Sequence, residues 1–328
     1  MKYILILFFT FLLETNLFAS DWTQVEIPGA RCGDGKPYSI LLNKNDNDKL
    51  IVEFMGGGVC WDYESCFKNG LLPWLHNYPV VQSYSIYTSY KSSMNPFKEH
   101  SHIYFPYCTA DVHAGDHVST YNKKTVYHYG KRNIELAFEY IKANHLVNFE
   151  SVNDLVVYGA SAGGIGALLN SLLVESYVGS EVKKTMIVDA PGLHFGKDFF
   201  KKFDDDMQFD FKQSFNNIGI DVDFNDGVIS KKMGPVFEKY SDWNIGVLFA
   251  ESDASMSEKY GNISKQEHKQ IVLSSDGLPA IAKSYSNVKI WLSDSEIHTF
   301  LIREKTAALL SIVGDTAYDF AKSIYQEK

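Results

Sequence analysis

Apolar runs and apolar residues at helical spacing alternate along this chain, and the alternation predicts its architecture. Apolar runs that are typical of buried strands occupy positions 38–42, 49–54, 102–106, 155–158, 185–188, 245–250 and 288–292. Apolar residues at helical spacing occupy positions 125–145, 165–174 and 300–325. Because strands alternate with helices, we predict an α/β fold with a mostly parallel central sheet and helices on both faces.

The segment 195–240 interrupts this alternation, since it is charged, rich in Phe and partly helical in its spacing. We therefore expect it to form a cap inserted over the sheet. The chain has 328 residues and is 45% hydrophobic, which is enough for one large core. Since the sequence has neither an internal repeat nor a low-complexity linker, we predict a single domain over residues 21–328.

The first twenty residues have the pattern of a secretory signal peptide, which is removed from the mature protein. Lys2 precedes a short apolar run over 3–13, and Ala19 and Ser20 offer small residues for cleavage. The run is too short to span a bilayer comfortably, although an uncleaved anchor is the alternative. We expect a secreted or periplasmic protein without a stable membrane anchor.

Four cysteines, Cys32, Cys60, Cys66 and Cys108, follow this segment. An even number of cysteines behind an export signal suggests disulfide bonds, and free thiols in a reducing compartment are the alternative. Three sets of pairs are possible. We favour Cys60–Cys66, which closes a short loop, together with Cys32–Cys108, which closes a long one.

The stretch Gly159-Ala160-Ser161-Ala162-Gly163 fits the pattern G-x-S-x-G between a predicted strand and a predicted helix. A sharp turn there would expose the hydroxyl of Ser161 above the sheet, as in the nucleophile turn of α/β-hydrolases. The alternative is a glycine turn in which Ser161 merely caps the helix. The predicted strand and helix on either side favour the nucleophile, and so the α/β-hydrolase fold.

Gly56-Gly57-Gly58 follows an earlier strand, as does the oxyanion loop of esterases. Glycine allows backbone N–H groups to approach a ligand closely. We expect the N–H groups of Gly57 or Gly58 and of Ala162 to face the oxyanion of a tetrahedral intermediate, with a flexible turn as the alternative.

Hydrolases of this fold carry the acid and then the histidine after the nucleophile. His298 follows the last predicted strand, where a loop can bring it to Ser161, and His194 is a weaker alternative. The third candidate, His268, lies in a charged run that predicts a solvated face.

The acid should follow the penultimate strand, and Asp253 stands there. Glu251 is its neighbouring rival, and Asp253 as a simple helix cap is the alternative. Asp189, at the end of another predicted strand, is placed to support the site without contacting substrate.

Three motifs in order resemble the pectin acetylesterase/Notum carboxylesterase family over roughly residues 25–300. The motifs are Gly56-Gly57-Gly58-Val59-Cys60-Trp61-Asp62 with Cys66, Phe105-Pro106-Tyr107-Cys108-Thr109-Ala110-Asp111-Val112-His113-Ala114-Gly115-Asp116, and Gly159-Ala160-Ser161-Ala162-Gly163-Gly164. The resemblance implies an α/β-hydrolase-like fold and ester hydrolysis. It assigns the roles of nucleophile, acid, base and oxyanion donors to Ser161, Asp253, His298, and Gly57, Gly58 and Ala162. It gives Asp111-Val112-His113 a structural or near-site role, with His113 not the base.

The net charge and the sequence motifs limit the classes of ligand, cofactor and partner that we expect. The net charge is −9 and no basic face is evident, so we expect no nucleic acid. No metal-binding spacing such as H-E-x-x-H or C-x-x-C occurs, and we expect neither a metal nor a cofactor. We predict a monomer that acts on a small-molecule or polysaccharide acyl ester. The alternatives are a catalytically silent glycan-binding protein and a lipase or amidase of the same fold.

Overall fold

The computed structural model describes residues 22–45, 47–68, 75–76, 83–179, 181–197 and 199–327. The predicted signal peptide lies outside these residues. Within the described ranges, no helix combines the length and the apolar character needed to cross a bilayer.

The strands of the described chain form one large sheet and one small hairpin. They are β1 (Trp22–Arg31), β2 (Pro37–Asn43), β3 (Lys49–Phe54), β4 (Ser101–Phe105), β5 (His117–Tyr121), β6 (Lys124–His128), β7 (Asp154–Ala160), β8 (Lys183–Asp189), β9 (Trp243–Ala250) and β10 (Val288–Ser293). The large sheet has the order β1-β2-β4-β3-β7-β8-β9-β10, and β5 pairs with β6. In the large sheet, the pairs β1–β2 and β2–β4 are antiparallel and the other five pairs are parallel, so the prediction of a mostly parallel sheet is confirmed.

Helices cover both faces of this sheet, as predicted. They are α1 (Tyr63–Phe67), α2 (Gly130–Ala143), α3 (Ala162–Glu175), α4 (Asp205–Asn217), α5 (Gly234–Lys239), α6 (Lys265–Val272), α7 (Leu278–Ala282), α8 (Glu304–Ala307) and α9 (Ala317–Gln326). Because side chains alternate along a strand, Leu155 and Val157 of β7 join the core beneath α2 and α3. Val156 and Tyr158 point the other way, into the core beneath α9. The two cores hold the carboxyl ends of the parallel strands at one edge.

The helix predicted over 125–145 begins only at Gly130, so its first part is a wrong prediction. Residues Lys124–His128 form β6 instead, and β6 pairs with β5 just before it in the chain. Asn122 and Lys123 join the two strands with φ angles of 49° and 67°. A two-residue turn with two positive φ angles fits the twist of a hairpin, and this local pairing overrides the helical spacing.

The helix predicted over 300–325 is also wrong in part, because it consists of α8 and α9 with a loop between them. Gly314, with a φ of 100°, makes the turn in this loop. Ser311 N–H donates to Asp315 O at 2.8 Å, and Leu310 bridges to Thr316. A turn held in this way cannot continue a helix.

Disulfide bonds join Cys32 to Cys108 and Cys60 to Cys66, which are the pairs that we favour from the sequence. The first bond ties the end of β1 to the loop after β4. The second closes the segment that contains the start of α1.

The segment 195–240, which we predict to be an inserted cap, carries α4 and α5. It packs beside the β5–β6 hairpin, since His117 contacts Asp210 at 2.6 Å and Ser119 Oγ donates to Asp204 at 2.7 Å. The division into a single domain with a cap stays a prediction.

Candidate active site

Ser161 occupies a tight turn between the end of β7 and the start of α3. Its φ of 57° and ψ of −124° lie outside the regions that residues with a side chain prefer. Two glycines allow the turn to close. A Cβ on Gly159 would lie 2.0 Å from the carbonyl oxygen of Gly163, and a Cβ on Gly163 would lie 2.0 Å from that of Phe54. The G-x-S-x-G pattern therefore has a steric reason in this chain.

We expect the variant Ser161→Gly to be more stable than the natural protein. Glycine adopts a positive φ without the strain that a Cβ brings, and such strain costs about 1–3 kcal/mol. The gain is reduced because glycine loses more backbone entropy on folding, so we expect the free energy of unfolding to rise by about 1 kcal/mol. Urea denaturation measures it. Ser161→Ala, which keeps the Cβ, serves as the control and should show no such gain.

Ser161 is joined to His298 and Asp253 by two short hydrogen bonds. The Oγ of Ser161 lies 2.7 Å from Nε2 of His298, and Nδ1 of His298 lies 2.7 Å from Oδ2 of Asp253. The three residues come from the loops after β7, β10 and β9, which end at the same edge of the sheet. A serine, an imidazole and a carboxylate in this order can generate a nucleophilic alkoxide.

The other carboxylate oxygen of Asp253 is held by the backbone. Oδ1 accepts the N–H groups of Ser255 at 2.9 Å and Met256 at 3.0 Å, at the start of the π-helical segment Ser255–Gly261. Asp253 is only 2% exposed. Because these donors engage Oδ1, the orientation of the carboxylate is fixed and Oδ2 is directed at His298.

The rival acid and the rival histidines lie elsewhere. The carboxylate of Glu251 contacts Lys269 at 2.5 Å. His194 is buried beside His268, with ring centroids 5.1 Å apart, and burial lowers the pKa of His194 to about 3. The prediction of a solvated face for His268 is wrong, since it is 1% exposed and its Nδ1 lies 2.8 Å from the Glu251 carbonyl oxygen. The charged run around His268 belongs to a helix with one buried face.

The predicted oxyanion donors border Ser161. Gly57, Gly58 and Ala162 line a small cavity together with Ser161. Ala162 is the first residue of α3, and an N–H group in the first turn of a helix has no acceptor within that helix. The positive end of the helix dipole also faces this point, which favours a developing negative charge.

The sequence profile of the pectinacetylesterase family matches residues 17–230, which is more than half of the chain. The chain belongs to the pectinacetylesterase family. The matched residues include Ser161 and the glycines at 56–58, and they end before Asp253 and His298. The match therefore establishes the family and does not extend to the acid or the base.

Several known proteins resemble this chain in sequence or in structure. The chain is 24% identical over 171 residues to the palmitoleoyl-protein carboxylesterase NOTUM of Schmidtea mediterranea, covering 48% of this chain and 31% of that protein. It is 30% identical over 165 residues to notum1' of Xenopus laevis, covering 46% and 33%. The chain thus spans about a third of the length of the curated relatives it matches. The crystal structure of the Wnt deacylase Notum from Drosophila superimposes with a TM-score of 0.64 at 15% identity, covering 93% of this chain and 94% of that one. This likeness confirms the α/β-hydrolase-like fold.

Two cavities meet at Ser161 in this member of the pectinacetylesterase family. The larger one has a volume of about 760 Å³ and a mixed lining, in which apolar groups such as Met55 and Ile302 lie beside polar, cationic and aromatic ones. The latter include His298, Thr299, Lys259, Arg303, Tyr84 and Tyr260. The smaller one has a volume of about 30 Å³ and an almost wholly apolar wall, to which Val59, Val112, Ile165, Pro191, Phe195 and Met256 contribute. The two cavities therefore differ in the chemistry of their walls. His298 lines the large cavity and not the small one.

The family motif Asp111-Val112-His113 is buried beside the site. Nε2 of His113 lies 2.9 Å from the carbonyl oxygen of Met55, so this histidine supports the loop before the glycines and does not contact Ser161. The carboxylate of Asp111 accepts the N–H groups of His113 at 3.1 Å and Gly130 at 2.6 Å. Burial raises the pKa of Asp111 to about 6. These contacts match the structural role that the resemblance implies.

Sequence reasoning misses the wall of the small cavity. Phe195, Met256 and Ile165 come from three separate segments, and each reads as ordinary core in its own window. The sequence indicates this wall only through the positions of two residues. Met256 lies three residues after the predicted acid, and Ile165 lies four residues after the predicted nucleophile.

Among the described residues, no group of three His, Cys, Asp or Glu side chains is arranged to hold a metal ion.

Proposed function

We propose that this protein is a serine carboxylic-ester hydrolase that removes a short acyl group, through Ser161 as nucleophile, His298 as base and Asp253 as acid. The observation that carries the proposal is the pair of 2.7 Å hydrogen bonds that joins these three side chains at a strained turn. Membership of the pectinacetylesterase family supports ester hydrolysis as the reaction class.

In the proposed mechanism, Nε2 of His298 accepts the Ser161 proton as Oγ attacks the ester carbonyl carbon. The N–H groups of Ala162 and of Gly57 or Gly58 stabilise the oxyanion, a contribution typically worth about 10²- to 10³-fold in rate per donor. His298 then protonates the departing alcohol. A water molecule, activated by the same imidazole, hydrolyses the acyl-enzyme and releases the acid.

This chemistry assigns the two cavities to the two halves of the ester. His298 must reach the oxygen of the leaving alcohol in order to protonate it, so the alcohol belongs in the large cavity that His298 lines. The acyl group then points away from His298. The small apolar cavity borders Ser161 and Ala162 and is not lined by His298, and it is the acyl site in our proposal.

The sizes of the cavities favour an acetyl group on a large polar alcohol. A volume of about 30 Å³ holds roughly one or two water-sized groups, which suits a methyl group better than a long chain. The large cavity carries the exposed cations Lys259 and Arg303 and the exposed ring of Tyr84, which suit an acidic or neutral polysaccharide. The named relatives are palmitoleoyl-protein carboxylesterases, so the acyl group is where we expect this chain to differ from them.

We expect kcat/KM to fall steeply with acyl length across p-nitrophenyl acetate, butyrate, octanoate and palmitate. Each methylene that a pocket accepts or rejects changes kcat/KM by about 10- to 200-fold, so acetate should exceed octanoate by at least about 100-fold. Met256→Ala should raise the butyrate-to-acetate ratio by about 10-fold, because it enlarges the acyl site.

Met207→Ala is the matched control, since Met207 is also buried but lies in α4 and outside both cavities. Its butyrate-to-acetate ratio should remain that of the natural protein, whatever its stability. A natural protein that prefers palmitate to acetate would refute the acetyl assignment while leaving the hydrolase proposal intact.

We also propose that the protein works outside the cytoplasm. Two disulfide bonds fit an oxidising compartment and agree with the predicted signal peptide. The expectation of a monomer stays a prediction.

A further inference from the structure

Asp189 lies at the end of β8, next to the strand that carries the nucleophile turn. It pairs with Ala160 of β7, and its carbonyl oxygen accepts the N–H group of Ser161 at 2.8 Å. The backbone of Asp189 therefore holds the serine in place from the neighbouring strand.

The side chain of Asp189 holds a different part of the site. Its carboxylate accepts the N–H group of Phe300 at 2.9 Å to each oxygen, and Oδ2 accepts the N–H group of Leu301 at 2.8 Å. These residues come two and three positions after His298. Thr299, between His298 and Phe300, has a φ of 67°, so the chain turns sharply just after the imidazole. The carboxylate thus clamps the loop that presents the base.

Burying a carboxylate at this position costs folding free energy, which a purely structural role does not explain. Asp189 is fully buried, and an ionised carboxylate in the interior costs stability even when N–H groups satisfy it. Burial raises its pKa to about 6, against the opposing effect of the Phe300 and Leu301 N–H groups. The titratable groups that face it are His298, which lowers the pKa of Asp189, Asp253, which raises it, and the Tyr158 hydroxyl.

We propose that Asp189 is a positioning residue that sets the distance between the nucleophile and the base. One residue holds the Ser161 backbone through its own backbone and holds the His298 loop through its side chain. The 2.7 Å contact between Ser161 Oγ and His298 Nε2 then depends on the Asp189 carboxylate. This inference rests on the proposed function, because it concerns the alignment of the proposed catalytic pair.

The test is the variant Asp189→Asn, assayed with p-nitrophenyl acetate. The amide oxygen can replace one acceptor, but the amide NH₂ then faces a backbone N–H group, so the loop is displaced. Since a displacement of about 1 Å can cost about 100-fold in rate, we expect plateau kcat to fall 10- to 100-fold with KM nearly unchanged. The acid limb of kcat/KM should move to lower pH, because the imidazolium of His298 loses a nearby negative charge. The limb should also become shallower, because the Asp189 carboxylate, which gains a proton near pH 6, is gone.

Asp154→Asn is the matched control, because Asp154 begins β7 at the opposite end of the sheet and its pKa is also raised by burial. Plateau kcat and the acid limb should both match those of the natural protein. Asp189→Ser removes the charge without introducing an NH₂ group, and it gives the same readouts if Asp189→Asn does not fold.

An Asp189 variant that loses thermal stability but keeps both plateau kcat and the acid limb would overturn this assignment alone. If the natural protein has no Ser161-dependent esterase activity, the proposed function fails and the assignment fails with it.

Discussion

Ser161→Ala should lower kcat for p-nitrophenyl acetate by about 10⁴- to 10⁶-fold, the loss that follows removal of the nucleophile from a serine hydrolase. The hydroxyl is the only part of the side chain that this change removes. The turn keeps its Cβ and its glycines, so the protein should fold and unfold as before. Steady-state kinetics, together with circular dichroism of the same preparation, measure the effect.

Labelling with a fluorophosphonate separates the hydrolase from the catalytically silent glycan-binding alternative. A phosphonate bonds covalently to a serine only where a base activates the hydroxyl. The natural protein should be labelled on Ser161, and Ser161→Ala should not be labelled. Ser176→Ala, just after the far end of α3, is the control and should react like the natural protein. A folded natural protein that resists the probe, or a Ser161→Ala variant as active as its parent, would end the proposal.

The tight turn at Ser161 was predictable because its determinants are local. Gly159, Ser161 and Gly163 lie within five residues, and the steric contacts that require the glycines come from the turn itself and from the adjacent strand β3. The sheet was predictable for a similar reason. Strands of a parallel sheet are buried on both faces, so each appears as a continuous apolar run.

Other features depend on contacts between distant segments, and sequence patterns mislead there. Residues 125–128 have helical spacing, yet pairing with β5 makes them a strand. His268 lies among charges, yet one face of its helix packs against the loop that carries Glu251. The walls of the small cavity come from residues that are remote in the sequence. The sequence indicated Asp189 as a supporting residue. Its backbone contact with Ser161 and its side-chain contact with the loop after His298 form only once β7, β8 and that loop lie side by side.

Asp253→Asn should lower kcat by about 10³- to 10⁴-fold, and the structure supplies the reason. Oδ1 of Asp253 accepts two backbone N–H groups, those of Ser255 and Met256. An asparagine must place its carbonyl oxygen there, because an NH₂ group would face two donors. Its NH₂ group then takes the position of Oδ2, 2.7 Å from Nδ1 of His298.

That NH₂ group needs an acceptor, so Nδ1 of His298 must give up its proton and the imidazole must carry its proton on Nε2. An Nε2–H group donates to Ser161 Oγ and cannot accept the serine proton. The variant therefore keeps the geometry of the site but holds the base in the wrong tautomer. KM should change little, because neither cavity changes shape.

Glu251→Gln provides the matched control, two residues away on the same loop and equally an acid-to-amide change. Glu251 is buried as well, but its carboxylate contacts Lys269 and its carbonyl oxygen contacts His268, so no proton on His298 depends on it. We expect its kcat to stay close to that of the natural protein. If Glu251→Gln lost activity and Asp253→Asn did not, the acid would be Glu251, and the hydrogen bond from Asp253 to His298 would have no catalytic role.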